Sequence, residues 1–478
     1  MFKFLFMSPP KIDSRWWTTL TISTGIFMST LDASIVGISL PTIVRSLHTD
    51  LKTVAWVVMA YLIIITGCLL LMGRLADLFG RGKIFLLGFL TFTLGSTLCG
   101  FSPTIYFLIG SRLIQGLGAS ALMAIGPAII TTSFPEKDRG QALGMLGSVV
   151  SLGFIAGPLI GGFLVEHLGW RSIFFINIPI GAIGTLLSLK ILKGDGTMGR
   201  VELDLRGAFL FFLFVTSLLL FLNRVGWEST PFFWGWIFLA LTSLSLFIVI
   251  EHQSSSPLVD LNIFKRRLFI SSLGASFFSF WMNGAHNFVI PFFLQNIAGY
   301  SPSKTGMLIF PVALTVMVMA PIGGRVSDWV GVRVPATLGL ILTSLAIFSF
   351  VFLKGEVSDY EILWRQVILG IGIGLFSPAN NSAIIGSLPK VNVGVASSFL
   401  ALSRNLGIVI GVAFAEMVIA FRIPATSPEA GRGPSFEGIQ DVWRILLVIG
   451  LIAIFLSWKR GSVVNASKGG RGSQVPKI

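Results

Sequence analysis

Charge is scarce in this chain. Asp, Glu, Lys and Arg make up 12% of its 478 residues, about half the share of an average soluble domain, which argues against a water-soluble globule. Cysteine is nearly absent. Cys68 and Cys99 each sit inside an apolar run and read as small buried hydrophobes, not as a disulfide or metal pair. Four scattered histidines give no metal-ligand spacing, so no metal is expected. Gly82-Lys83 is followed by Ile84, which breaks the phosphate-loop pattern at its hydroxyl position. The loops carry no nucleophile set out with a base. An enzyme and an ATP-driven machine are both disfavoured, and no cofactor is expected. Energy would come from an ion gradient, with protons the candidate ion; one charge crossing the membrane is worth about 2.3 kcal/mol per 100 mV.

Apolar length is what the chain has in abundance. It is 54% hydrophobic with 42 Phe, and its mean hydropathy is +0.85. The apolar runs are continuous, not alternating, which predicts an all-α polytopic membrane protein and excludes a closed barrel. About fourteen runs reach the roughly twenty residues that a spanning helix needs. With the N-terminus inside, roughly 23 of the 35 Lys and Arg fall on the cytoplasmic side. An even number of spans then places both termini in the cytoplasm. The net charge of +14 reads as this topology signal and not as a nucleic-acid surface. Met1–Pro10 lacks the core and cleavage site of a secretory leader, and Met7 is an alternative start.

The chain repeats itself. Gly73–Lys83 reads GRLADLFGRGK between two apolar runs, Val54–Met72 and Ile84–Phe101, and predicts a short charged turn. It returns as GRVSDWVGVR over Gly324–Arg333, with Gly73, Arg74, Asp77 and Gly80 falling on Gly324, Arg325, Asp328 and Gly331. Pro135, Gly140, Gly153 and Gly157 fall on Pro389, Gly394, Gly407 and Gly411 at a constant offset. Pro41 is expected to end the first span as Pro291 ends the ninth. The pattern predicts two related six-helix bundles. The first covers residues 1–192 and the second 251–460. A linker and two inserted helices occupy 193–250, and a Gly/Ser/Lys-rich cytoplasmic tail expected to be disordered occupies 461–478.

A few residues break the apolar pattern in ways that point to chemistry. Asp32 lies within the first span, where a carboxylate should face a cavity or a partner and can serve as a proton carrier; a structural hydrogen-bonded Asp is the plainer alternative. Arg112 lies in the same half of the fourth span and can pair with it, with Gln115 one turn on along the same face. Glu416, near the end of its span, is a second candidate proton or cation site, close enough to the loop to reach water instead. Gly153-x-x-x-Gly157-Pro158-x-x-Gly161-Gly162 offers small residues at four-residue spacing and a proline, which suits a close-packed, bendable seam. Trp281, Asn283, His286, Asn287, Asn380 and Asn381 put aromatic and polar groups inside spans. If they face a cavity with Gln115, the pocket suits bulky apolar or cationic ligands.

Taken together, LDASIVGISLP, WVVMAYLI, GRLADLFGRGK, RLIQGLGAS, GFIAGPLIGG and WRSIFFINIPIG resemble the major facilitator superfamily, in particular its fourteen-helix drug:proton antiporters, over roughly Trp16 to Trp458. The resemblance implies two rocking six-helix bundles with two extra helices between them. It also implies export of drug-like small molecules across the cell membrane; a monomer is expected. It assigns Asp32 and Arg112 to proton coupling, Asp77 and Arg81 to a cytoplasmic gate, and the helix 5 glycines to the antiporter motif. Val332 stands where the first turn has Arg81, so the second latch should be weaker. A dedicated exporter of one metabolite or lipid-like compound, and a receptor that has lost transport, are the alternatives.

Overall fold

The computed structural model describes residues 14–192, 205–224, 232–253, 261–355, 357–388, 393–422 and 434–460. The expected disordered tail, most of the linker, both candidate start residues and Pro389 of the repeat lie outside them. Every regular element among the described residues is helical. The α-helices are α1 Ser14–Ser46, α2 Leu51–Phe79, α3 Arg81–Gly100, α4 Ile105–Ser133, α5 Glu136–Leu168, α6 Ser172–Phe175, α7 Asn177–Ile191, α8 Leu205–Arg224 and α9 Phe232–Gln253. They continue with α10 Arg267–Phe292, α11 Pro302–Val330, α12 Arg333–Ser349, α13 Asp359–Gly386, α14 Val393–Ala420 and α15 Phe436–Lys459.

Eleven helical stretches are long and apolar enough to cross a membrane, with α6 and α7 forming one of them. With the shorter apolar stretches Leu152–Leu168 in α5 and Arg206–Leu218 in α8 and the 26-residue α10, the described helices are roughly consistent with the fourteen expected. Large apolar side chains such as Leu90, Phe163, Leu189, Phe238 and Leu451 are exposed along these helices, as lipid-facing side chains must be in a chain whose solvent is a bilayer.

Two boundaries differ from expectation. The charged turn is not a loop: α2 runs on through Gly73, Arg74 and Asp77 to Phe79, and the chain breaks at Gly80 alone. Gly80 has φ 98° and its counterpart Gly331 has φ 83°, a backbone region that costs a side-chain-bearing residue and leaves Gly free. Gly80 alone separates α2 from α3, and Gly331 with Val332 separates α11 from α12. Pro41 does not end the first span either, because α1 continues five residues further, to Ser46. A membrane helix tolerates the one donor a proline removes. Pro291 lies inside α10, one residue before its end, and is followed by a π-helical turn at Phe293–Ile297.

The chain falls into two compact units. The first holds residues 1–260, 284–310 and 409–439. Within it α3 packs on α4, α4 on α2, α5 on α1, and α8 on both α9 and α2. Glycine sets the α3–α4 distance: a Cβ at Gly95 would lie 2.4 Å from the Gln115 backbone nitrogen. That contact holds Gln115 close to α3, which matters below. The second unit holds residues 261–283, 311–408 and 440–478. There α12 packs on α13, where a Cβ at Gly339 would lie 2.6 Å from the Gly372 carbonyl oxygen. Trp443 of α15 is fully buried there beside Phe350.

Candidate functional site

The first unit contains a closed cluster of polar side chains in an otherwise apolar interior. Asp32 comes from α1, Tyr61 from α2, Ser96 and Cys99 from α3, Arg112 and Gln115 from α4, and Asn177 from the start of α7. Each is at most 1% exposed. The four helices α1 to α4 supply most of the set because their glycine contacts bring the backbones close. The seventh residue arrives by a different route. Pro179 lacks the N–H that would continue the turn from α6, so a fresh helix begins at Asn177 with the proline in its first turn.

The hydrogen bonds of the cluster are nearly complete. Arg112 Nη1 donates to Asp32 Oδ2 at 2.5 Å and to Gln115 Oε1 at 2.6 Å, while its Nε donates to the Val57 carbonyl at 2.9 Å. Gln115 Nε2 donates to Asp32 Oδ1 at 2.8 Å and to Ser96 Oγ at 3.1 Å. Asn177 Nδ2 donates to the same two oxygens at 3.2 Å and 3.0 Å. The Cys99 thiol points to Gln115 Oε1 at 3.6 Å, and Ser96 donates to the Phe174 carbonyl at 2.9 Å. The Arg112 guanidinium lies 4.0 Å over the Tyr61 ring, a favourable cation–π contact, and Tyr61 in turn donates to the Ser29 carbonyl. A buried carboxylate needs both a counter-charge and donors for its lone pairs, and Asp32 has both.

Gln115, expected beside a substrate cavity, is thus fully engaged in the Asp32 cluster. Asn177, Ser96, Cys99 and Tyr61 were missed by sequence reasoning. Cys99 reads as a plain hydrophobe in sequence, yet sits within reach of an amide oxygen. Asn177 lies inside WRSIFFINIPIG, and an Asn beside a helix-starting proline in an apolar run was the available signal.

The helix 5 glycines form two contacts. Gly153, Gly157 and Gly161 face α1: an added Cβ would lie 2.1 Å from Thr30 Oγ1, 2.3 Å from Ser34 Oγ and 2.6 Å from Ile35 Cγ1 respectively. Ser34 also donates to the Phe154 carbonyl across this seam. Gly162 and Pro158 instead face the start of α11. A Cβ at Gly162 would lie 2.5 Å from the Pro302 carbonyl, and one at Gly306 would lie 2.3 Å from the Pro158 carbonyl. The same end is tied by polar bonds, with the Ser303 N–H donating to Glu166 at 2.8 Å. Nearby, Gln295 of the π-helical turn donates to the Ile38 carbonyl at 2.9 Å and accepts from Arg45. Gly157→Val is expected to cost about 1–3 kcal/mol through overpacking, read as a lower unfolding midpoint in detergent.

The two charged turns differ. Arg81 donates to Asp77 through Nε at 3.2 Å and Nη2 at 3.0 Å, across Gly80. Asp328 is exposed and makes no ion pair among the described residues, because Val332 offers no charge there. The Asp77 pair is partly exposed, so Asp77→Asn is expected to cost no more than about 1 kcal/mol of stability. A change in transport rate at near-constant melting temperature would separate gating from folding.

Glu416, on α14, is 0% exposed and does not reach water. His286 is buried and Asn287 exposed, both in the first unit. Trp281, Asn283, Asn380 and Asn381 belong to the second. There Trp281 stacks on Phe278, Asn283 donates to the Ser279 carbonyl, and Asn380 is fully buried with no hydrogen bond to either amide atom. No group of metal-binding side chains occurs among the described residues.

Eleven helical stretches able to cross a membrane, two of them joined by the buried Asp32–Arg112 pair, mark a polytopic membrane protein. Residues 22–412 match the Major Facilitator Superfamily, and the chain belongs to that family. It is 36% identical over 407 residues to the riboflavin transporter RibZ of Clostridioides difficile, covering 84% of this chain and 88% of that protein. It is 32% identical over 413 residues to the multidrug resistance protein Stp of Mycobacterium tuberculosis H37Rv (86% and 76% covered). It is likewise 32% identical over 403 residues to the multidrug transporter protein MdtP of Bacillus subtilis (83% and 74%). A peptide transporter POT in complex with sulfate shares the fold, with a TM-score of 0.68, 17% identity and 93% and 95% of the two chains covered. The protein is a transporter and not an enzyme.

Proposed function

We propose that the chain exports amphipathic or cationic small molecules across the bacterial plasma membrane in exchange for protons. Asp32 is the proton site and Arg112 sets when the proton leaves. The observation that carries this is the Asp32–Arg112 pair. Both groups are buried inside membrane-spanning helices, where a charge is retained at a cost of several kcal/mol and marks an ion pathway. The likeness to proteins described as multidrug transporters supports the export of drug-like compounds. Both termini lie in the cytoplasm, so the Asp77–Arg81 pair acts at the cytoplasmic face and the Gly162–Pro302 contact at the outer one. Glu416 is a second candidate proton site, and His286, Asn287, Trp281, Asn283, Asn380 and Asn381 are candidate substrate contacts.

A second reading, export or uptake of a flavin-like planar metabolite, is favoured by the likeness to the riboflavin transporter. Proteoliposomes with an imposed pH gradient separate the two. Movement of ethidium against the proton flow supports drug:proton antiport. Movement of riboflavin without ethidium supports the metabolite reading, and proton-independent movement of either sinks the coupling.

A further inference from the structure

We propose that Asn177 is a positioning residue that reads the protonation state of Asp32; this rests on Asp32 being the proton site. All three side chains bonded to the Asp32 carboxylate are donors: Arg112, Gln115 and Asn177. The titratable or charged groups near it are Arg112 from α4 and Tyr61 from α2, with the Cys99 thiol of α3 behind Gln115. α5, α6 and α7 bring none to it among the described residues. This arrangement suits the carboxylate.

A protonated Asp32 presents an O–H to a ring of donors, and that hydrogen needs an acceptor. The Arg112 guanidinium has no acceptor atom. Gln115 Oε1 already receives Arg112 and Cys99. The spare acceptor is Asn177 Oδ1, which is buried and has no hydrogen-bond partner. A half-turn about χ2 of Asn177 exchanges its N–H for Oδ1 at Asp32. Ser96 keeps Gln115 as a donor when Asn177 turns away. The turned NH2 then faces the space where Oδ1 found no partner. The protonated arrangement is therefore less well satisfied in this conformation than the ionised one. Proton uptake replaces a charge-assisted α1–α7 hydrogen bond with a neutral one and gives up the Asn177–Ser96 bond between α7 and α3, which favours departure from the state seen here.

The test follows the proton itself, independently of transport. The full chain in lipid nanodiscs would be titrated by infrared spectroscopy, using the protonated-carboxyl band that Asp32→Asn removes. Asn177→Leu takes away one donor to the carboxylate and should move the midpoint of that band up by about one pH unit, a tenfold gain in proton affinity. Asn177→Asp keeps the shape, places a second acid beside the first, and should move it further. Ser96→Ala touches the same neighbours but not Asp32 and should move it least. If Asn177→Leu fails to fold, Asn177→Ser gives the same reading with a smaller shift. An unmoved midpoint in the Asn177 variants, whatever their transport rate, overturns the role of Asn177 alone. A parent protein with no band that Asp32→Asn removes overturns Asp32 as the proton site and the inference with it.

Discussion

Asp32→Asn is expected to abolish uphill efflux. One pH unit stores about 1.4 kcal/mol per proton, enough to drive a tenfold substrate gradient for each proton exchanged. In the variant no such gradient should build, although substrate can still equilibrate. The protein should lose stability, because the buried Arg112 guanidinium is left without its counter-charge, but should remain folded. Asparagine has the shape of aspartate, and its Oδ1 can still accept from the surrounding donors. Arg112 keeps the Val57 carbonyl, Gln115 Oε1 and the Tyr61 face. The check is substrate accumulation in inverted vesicles, alongside size-exclusion behaviour in detergent. Accumulation equal to the parent would remove Asp32 from the coupling mechanism.

Arg112→Leu should do more damage to the fold itself. Removing one partner of a buried ion pair leaves an uncompensated charge and typically costs about 3–5 kcal/mol. It also strips the cation from the Tyr61 ring and the donor from the Val57 carbonyl. Adding Asp32→Asn to the same chain removes the stranded charge and should restore much of the stability. A double variant as unstable as Arg112→Leu alone would mean that the charge was not the cause. Denaturation midpoints of the four proteins give the answer.

The fold was largely legible in the sequence, because a bilayer imposes one rule on every span: twenty apolar residues with internally satisfied backbones. The repeated turn was legible as well, since Gly80 and Gly331 occupy the same place in its two occurrences and adopt the same unusual backbone region. Helix ends were harder to read. α2 carries Arg74 and Asp77 in its final turns because a helix can extend past the apolar zone, and hydropathy alone does not record that. The pairing of Asp32 with Arg112 could be anticipated from depth in the membrane. The rest of the cluster could not, because it depends on which faces α3 and α7 turn inward, and those faces are set by contacts such as Gly95 on Gln115. A neutral amide such as Asn177 also stands out less in an apolar run than a charge does.

The unequal charged turns separate what reverses the chain from what charges the joint. Here the first copy holds Asp77 against Arg81, while Asp328 stands exposed beside a valine. The glycine that reverses the chain survives in both. The geometry of the reversal is present at both turns and its ion pair at one. The shape of that joint therefore does not depend on the charge pair, since the chain reverses at Gly331 without it.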